Sequence, residues 1–167
     1  MLTANFAEVA ASLRKAKEEI DRRLENMVKK FAYHVVLVAV ENTPYGSLEK
    51  YFEYYQRRTT DPSWQSYGLN PEPGFARGSW QANTTGSFAF QENYGSNSGD
   101  VAANTVMPSL VGYKLGQAIY ISNVGPYIQS LENGASKEQA PMGIMQPTID
   151  QIINVLQADL VRFYKEG

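Results

Sequence analysis

Cysteine is absent from all 167 residues. No disulfide and no thiolate metal site can form, and the redox compartment is left open. Histidine is almost absent: the single one, His34, falls inside the apolar run FAYHVVLVAV. A Ser-His-Asp triad would have to be built there without any flanking motif, so a histidine satisfied in the core or on a helix flank is the simpler reading. One imidazole leaves only carboxylates as metal ligands, and no Asp/Glu cluster has calcium-loop spacing. Glu18 and Glu19 are adjacent on a helix and do not face each other. Gly95 and Gly99 do not follow a strand-to-helix phosphate fingerprint. No catalytic set, metal or cofactor is expected, and the chain reads as not an enzyme.

Long apolar runs are missing as well. The longest, Val35–Val40, is far short of the ~20 residues that span a bilayer. The opening MLTANFAEVA lacks the basic start and apolar core of a signal peptide, so the expectation is a protein made in the cytoplasm with no membrane anchor. With a net charge of −2 and a sequence pI of about 5.5, no global basic field draws the chain to nucleic acid, and Arg57–Arg58 is too short to be a basic patch. Charge is scarcest in the middle. Between Gly78 and Ser136 the ionised residues are Glu92, Asp100, Lys114 and Glu132, in a stretch rich in Ser, Thr, Asn and Gln. Depletion of charge marks protein–protein interfaces, and it suggests a sheet that faces other subunits.

Glycine and proline are missing from residues 1–42, and what fills the space is a helix. Apolar residues recur at Phe6, Val9, Leu13, Ala16, Ile20, Leu24, Met27, Phe31, Val35 and Val38, with charged residues between them. The spacing predicts one helix from Thr3 to Glu41, about 55 Å long. Its last third is apolar nearly all round and should be enclosed, while its first turns should project. The overhang either packs on a neighbouring subunit or stands in solvent. Thr43–Pro44 ends the helix, because the residue before proline disfavours the helical region.

The segment 45–76 has a composition of its own. It holds 8 of the chain's 20 aromatic residues, together with Pro62, Pro71 and Pro73. Ser47–Arg58 fits a short helix and Thr59–Gly74 a loop. Tyr- and Trp-rich surface segments suit protein contacts; the alternative is that these rings cap the domain's own core. Gly78–Phe90 alternates well enough for a strand with a bulge at Gly86, and Val106–Lys114 fits a strand or a helical turn. Ala118–Ser122 reads as a strand antiparallel to the first. Tyr127–Leu131 gives one or two helical turns stopped at Asn133–Gly134, and Pro147–Tyr164 a last amphipathic helix. The fold class expected is α+β: a long N-terminal helix and a C-terminal helix packed on a small antiparallel sheet. Residues 1–167 form a single domain with an aromatic- and Pro-rich insertion at 45–76.

Five short pieces in order carry a family likeness. They are Thr43–Pro44 after a long helix, Arg77-Gly78-Ser79-Trp80 opening a strand, Ile119–Asn123 with Pro126-Tyr127, Leu131-Glu132-Asn133-Gly134, and Gln139-Ala140-Pro141-Met142-Gly143 before the last helix. This pattern resembles the neck and tail-completion (head–tail joining) proteins of tailed bacteriophages, most specifically from Ile119 to Pro147. Family members usually pass almost directly from Thr-Pro to the Gly-Arg turn, so the segment 45–76 departs from the pattern. The resemblance implies a structural virion protein of the neck, at the head–tail junction and assembled in the host bacterial cytoplasm. It implies a homo-oligomeric ring, six- or twelve-fold, between a portal-side connector protein and the tail tube or tail terminator. DNA would pass through the channel without sequence-specific binding. The candidate subunit and partner contacts are Tyr51, Tyr55, Trp64, Trp80, Tyr127, Gln139, Pro141 and Met142. Two other readings stay open: a tail-terminator or connector ring of the same particle, and a carbohydrate- or peptide-binding module that uses the aromatic insertion.

Overall fold

The computed structural model describes residues 5–46, 74–89, 100–125, 128–134 and 140–166, with backbone alone at Val101 and at 158–166. Among these residues the chain is mostly helical with one two-stranded antiparallel sheet, an α+β arrangement. Helix α1 runs Phe6–Asn42, three residues from the expected start and one from the expected end. Thr43 leaves the helix in extended conformation, with ψ of 125°, as a residue before proline must. Its hydroxyl donates back to the Ala39 carbonyl at 2.6 Å and satisfies one of the orphan acceptors of the last turn.

Only the C-terminal part of α1 enters the core. Ala32, Val36, Ala39 and Val40, spaced to one face, are its buried residues. The enclosure is incomplete, because His34 is exposed, edge-on to the Tyr33 ring at 5.9 Å between centroids. Residues 5–18 are exposed on every side, so the projection extends well beyond the first two turns.

A four-residue helix α2 (Phe75–Gly78) leads into strand β1 (Trp80–Asn83). Strand β2 (Tyr120–Asn123) pairs with it antiparallel, Trp80 opposite Asn123 and Asn83 opposite Tyr120. The pairing expected from the sequence is present, but β1 is far shorter than 78–90. It ends because the Asn83 carboxamide oxygen accepts from the backbone N–H groups of Thr85 and Gly86, at 3.0 and 2.8 Å, and pulls the chain into a turn. Gly86, with φ of 71°, therefore sits in that turn and not in a strand bulge.

Helix α3 (Asp100–Ser109) covers only the first four residues of Val106–Lys114, where a strand or a helical turn was expected, and the chain turns at 110–112. Pro108 is accommodated in its last turn, and the Ser109 hydroxyl donates to the Ala82 carbonyl of β1 at 2.6 Å. Helix α4 (Ile128–Glu132) is short. Helix α5 (Met145–Glu166) begins two residues before Pro147, which sits in the first turn where a missing N–H costs nothing.

The core is one cluster in which α1 supplies Val36 and Val40, β1 Trp80 and Ala82, α3 Ala102 and Val106, and the following turns Leu110, Tyr113 and Ile144. The inner face of the sheet is covered chiefly by α1 and α3. Helix α5 rests mainly on α1, so of the two terminal helices expected on the sheet it is α1 that covers it. The side chain of Asn42 joins the two helices, donating to Thr148 Oγ1 at 3.2 Å and exchanging bonds with Gln151 at 3.5 and 3.4 Å.

Candidate assembly interface

Several described residues of the five short sequence pieces are occupied in holding backbone. Thr43 Oγ1, besides its bond to Ala39, accepts from Trp80 Nε1 at 2.9 Å, and the Arg77 Nε donates to the Thr43 carbonyl at 2.6 Å. The Arg77 guanidinium also lies over the Tyr45 ring, 5.6 Å from its centroid. The Gly74 N–H donates to the Tyr45 carbonyl at 2.7 Å. Thr43-Pro44-Tyr45 and Gly74 to Trp80 are thus neighbours in space, and the chain leaves and re-enters the domain at one point. Ser79 donates to the Phe75 carbonyl at 2.7 Å. Asn123 spans the same corner, donating to the Ala76 carbonyl at 2.6 Å and accepting from the Gly125 N–H at 2.8 Å.

Glu132 does the equivalent work at the other end of the pattern. One carboxylate oxygen accepts from the N–H groups of Ile144 and Met145 at 2.9 and 3.1 Å. These are unpaired donors at the start of α5, where a negative charge also meets the favourable end of the helix dipole. The approach is so close that a Cβ on Gly143 would stand 2.5 Å from the Glu132 carbonyl oxygen, and Gly143 has φ of 76°. Gly134, with φ of 69°, faces the Pro141 carbonyl, which a Cβ would meet at 2.9 Å. Only glycine fits either place. The turn at Pro141–Met142 is pinned at both sides, and both side chains are exposed, Met142 to 70%.

Of the other candidate contacts, Trp80 is 3% exposed. Its indole belongs to the core and to Thr43, and it offers no surface. Tyr51, Tyr55, Trp64, Tyr127 and Gln139 lie outside the described residues, as do the expected short helix and most of the insertion. The outward face of the sheet carries Gln81, Asn83, Tyr120 and Ser122, all uncharged and at least partly exposed.

Among the described residues the most extended run of exposed apolar side chains is one that no short motif marks. Phe6, Val9, Leu13, Ile20, Leu24 and Met27, the stripe on the projecting half of α1, are all exposed, Phe6 to 82% and Leu13 to 65%. On α5, Ile149, Ile153 and Leu156 are exposed as well. The polar side of α1 is held by ion pairs, Lys17 with Asp21 and Glu19 with Arg22 and Arg23. The Arg23 hydrogen bond, ahead of the Arg22 bond, holds the Glu19 carboxyl below the ordinary range, and the Asp21 hydrogen bond raises Lys17. Among the described residues no group of three or more His, Cys, Asp or Glu side chains is placed to hold a metal. No helix among them is long and apolar enough to cross a membrane.

No protein-family model, curated protein or solved structure matches this chain.

Proposed function

We propose that this protein is a structural subunit of the neck of a tailed bacteriophage. In that role it forms a ring between the portal-side connector and the tail and leaves a channel for DNA. The reading starts from the ordered sequence pattern and is supported by one structural observation above the others. Thr43, Arg77, Ser79, Trp80, Asn123, Glu132, Gly134 and Gly143 all act on backbone or on one another, and the open surface includes the apolar stripe of α1 and the uncharged outward face of the sheet. Open apolar and uncharged faces of this kind suit contacts with other proteins. The pinned Pro141–Met142 turn is a docking point toward a neighbour in the neck, and the uncharged outward sheet face is a second.

The test is genetic and visual. A nonsense mutation in this gene, in the phage that encodes it, should yield DNA-filled heads and separate tails by negative-stain electron microscopy, with joining restored by the wild-type protein. Complete, infectious particles from the mutant would sink the proposal.

A further inference from the structure

In a chain without cysteine, asparagine is the residue most prone to react without a catalyst or an added oxidant. The backbone nitrogen of the following residue attacks its side-chain carbonyl carbon, and any side chain on that following residue obstructs the approach. Asn133–Gly134 is the one Asn-Gly pair in the sequence. The fold sharpens its difference from the other asparagines. Thr148 and Gln151 hold the carboxamide of Asn42, the Ser87 carbonyl and the Gly86 N–H hold that of Asn83, and the Ala76 carbonyl and the Gly125 N–H hold that of Asn123. Asn26, Asn104 and Asn154 lie inside α1, α3 and α5. They are followed by Met27, Thr105 and Val155, whose N–H groups belong to the helical ladder. Asn133 comes directly after α4 and is exposed, and its carboxamide makes no hydrogen bond among the described residues. The Gly134 N–H has a single partner, the Leu131 carbonyl at 3.1 Å, at that helix end.

We infer that Asn133 deamidates spontaneously in the folded chain, through a cyclic imide with Gly134, and that the product loosens the Pro141–Met142 turn. The Gly134 nitrogen bonds to Cγ of Asn133 as the Cγ–Nδ2 bond breaks, and the proton of the Gly134 N–H leaves with the departing ammonia. Water then opens the ring. Opening at one carbonyl gives an ordinary aspartyl link. Opening at the other gives an isoaspartyl link, in which the main chain runs through Cβ and Cγ. Nothing is oxidised or reduced, since an amide and a water become a carboxylate and an ammonium ion. The isoaspartyl form is the one that disturbs the fold, because it adds an atom to the main chain beside the tightest contact of the turn. A Cβ on Gly134 would already stand 2.9 Å from the Pro141 carbonyl oxygen, so Gly134 cannot advance by a bond length without pushing that carbonyl. Glu132, on the other side of Asn133, accepts from the N–H groups of Ile144 and Met145. Both pins of the turn therefore adjoin the reacting residue. The inference concerns the isolated protein and does not depend on the neck reading.

The purified full chain is held for days in mildly alkaline buffer, folded and in urea. Peptide mapping by mass spectrometry follows each asparagine, and a methyltransferase specific for isoaspartate marks that product. Among the described asparagines, deamidation in the folded chain should concentrate at Asn133, at a rate within about tenfold of that in urea, because a helix end frays at little cost. Isoaspartate should accumulate there while Asn42, Asn104 and Asn123 stay intact. In the aged protein the amides of Ile144 and Met145 should lose hydrogen-exchange protection, and the urea midpoint should fall. Asn133→Gln, whose longer side chain closes the larger ring slowly, should keep both through the same incubation. Freshly made Asn133→Asp carries the new charge without the extra main-chain atom and should keep the protection as well. A folded chain in which Asn133 survives as long as Asn104 overturns the inference. So does isoaspartate at Asn133 with unchanged protection of Ile144 and Met145, or a fresh Asn133→Asp variant that has already lost it.

Discussion

At the scale of single residues, the Glu132–Gly143 contact fixes the exposed turn that precedes α5. Replacing Glu132 by Ala leaves the N–H groups of Ile144 and Met145 without their acceptor. The expected loss is about 1–2 kcal/mol, the usual cost of a missing helix cap with partly buried donors left over. Glu132→Gln keeps an acceptor oxygen and should lose less. Gly143→Ala should be worse than either, at least ~2 kcal/mol, because it combines a left-handed backbone with a Cβ pressed on a carbonyl oxygen. Urea denaturation midpoints of the three variants check the order. The loop motif itself was legible in the sequence, and so was the stop at Gly134. The partnership of Glu132 with the start of α5 was not, because a contact made by folding a loop back on itself has no period for a sequence to display. Trp80 was misjudged for a related reason. An aromatic beside polar residues looks like surface until the hydroxyl that takes its N–H, on Thr43, is known to lie next to it.

At the scale of elements, legibility followed periodicity. The long helix was evident because its stripe repeats many times, and the last helix for the same reason. Strand β1 was overestimated because alternation continues past Asn83, and the local capture of Thr85 and Gly86 by the Asn83 side chain overrides it. Helix α3 went unseen because its surface carries Asn and Thr where a helix usually shows charges, with Pro108 near its end. Residues 5–18 of α1 are exposed on every side, so side-chain pairs along that half of the helix carry more of the burden. Glu19 has the most of these, bonded to Arg23 at 2.8 Å and to Arg22 at 2.5 Å. Its folded-state pKa is depressed. The support it gives is therefore present above the ordinary carboxylate pKa and lost as pH falls through the folded value. Circular dichroism should show helix content falling in acid in the wild-type protein. Glu19→Gln should start with less helix at neutral pH and have a smaller acid-dependent loss.

At the scale of the molecule, the question is whether 45–76 is part of the domain or an excursion from it. The bond from the Gly74 N–H to the Tyr45 carbonyl closes the two ends together at 2.7 Å, and Arg77 reaches across them to Thr43 at 2.6 Å. A chain that returns to its point of departure can be shortened without moving what lies on either side. Replacing residues 47–72 by a linker of about three residues, an ordinary length for a connection, should leave a folded domain. Removing the longer closure would by itself favour folding by about 2 kcal/mol, at ~0.6 kcal/mol for each halving, and any packing lost with the aromatic rings acts against that gain. The readout comes with the design. The chain has two tryptophans, and Trp64 leaves with the excised segment, so Trp80 alone reports. Its emission should stay blue-shifted, as befits an indole 3% exposed, and shift to the red only in a cooperative urea transition. A red-shifted, non-cooperative variant would mean that the aromatic segment is core and not insertion. A folded variant that fails to restore head–tail joining in the nonsense mutant would assign Tyr51, Tyr55 and Trp64 to contacts with other neck proteins. A folded variant that restores it would free those residues from any part in assembly.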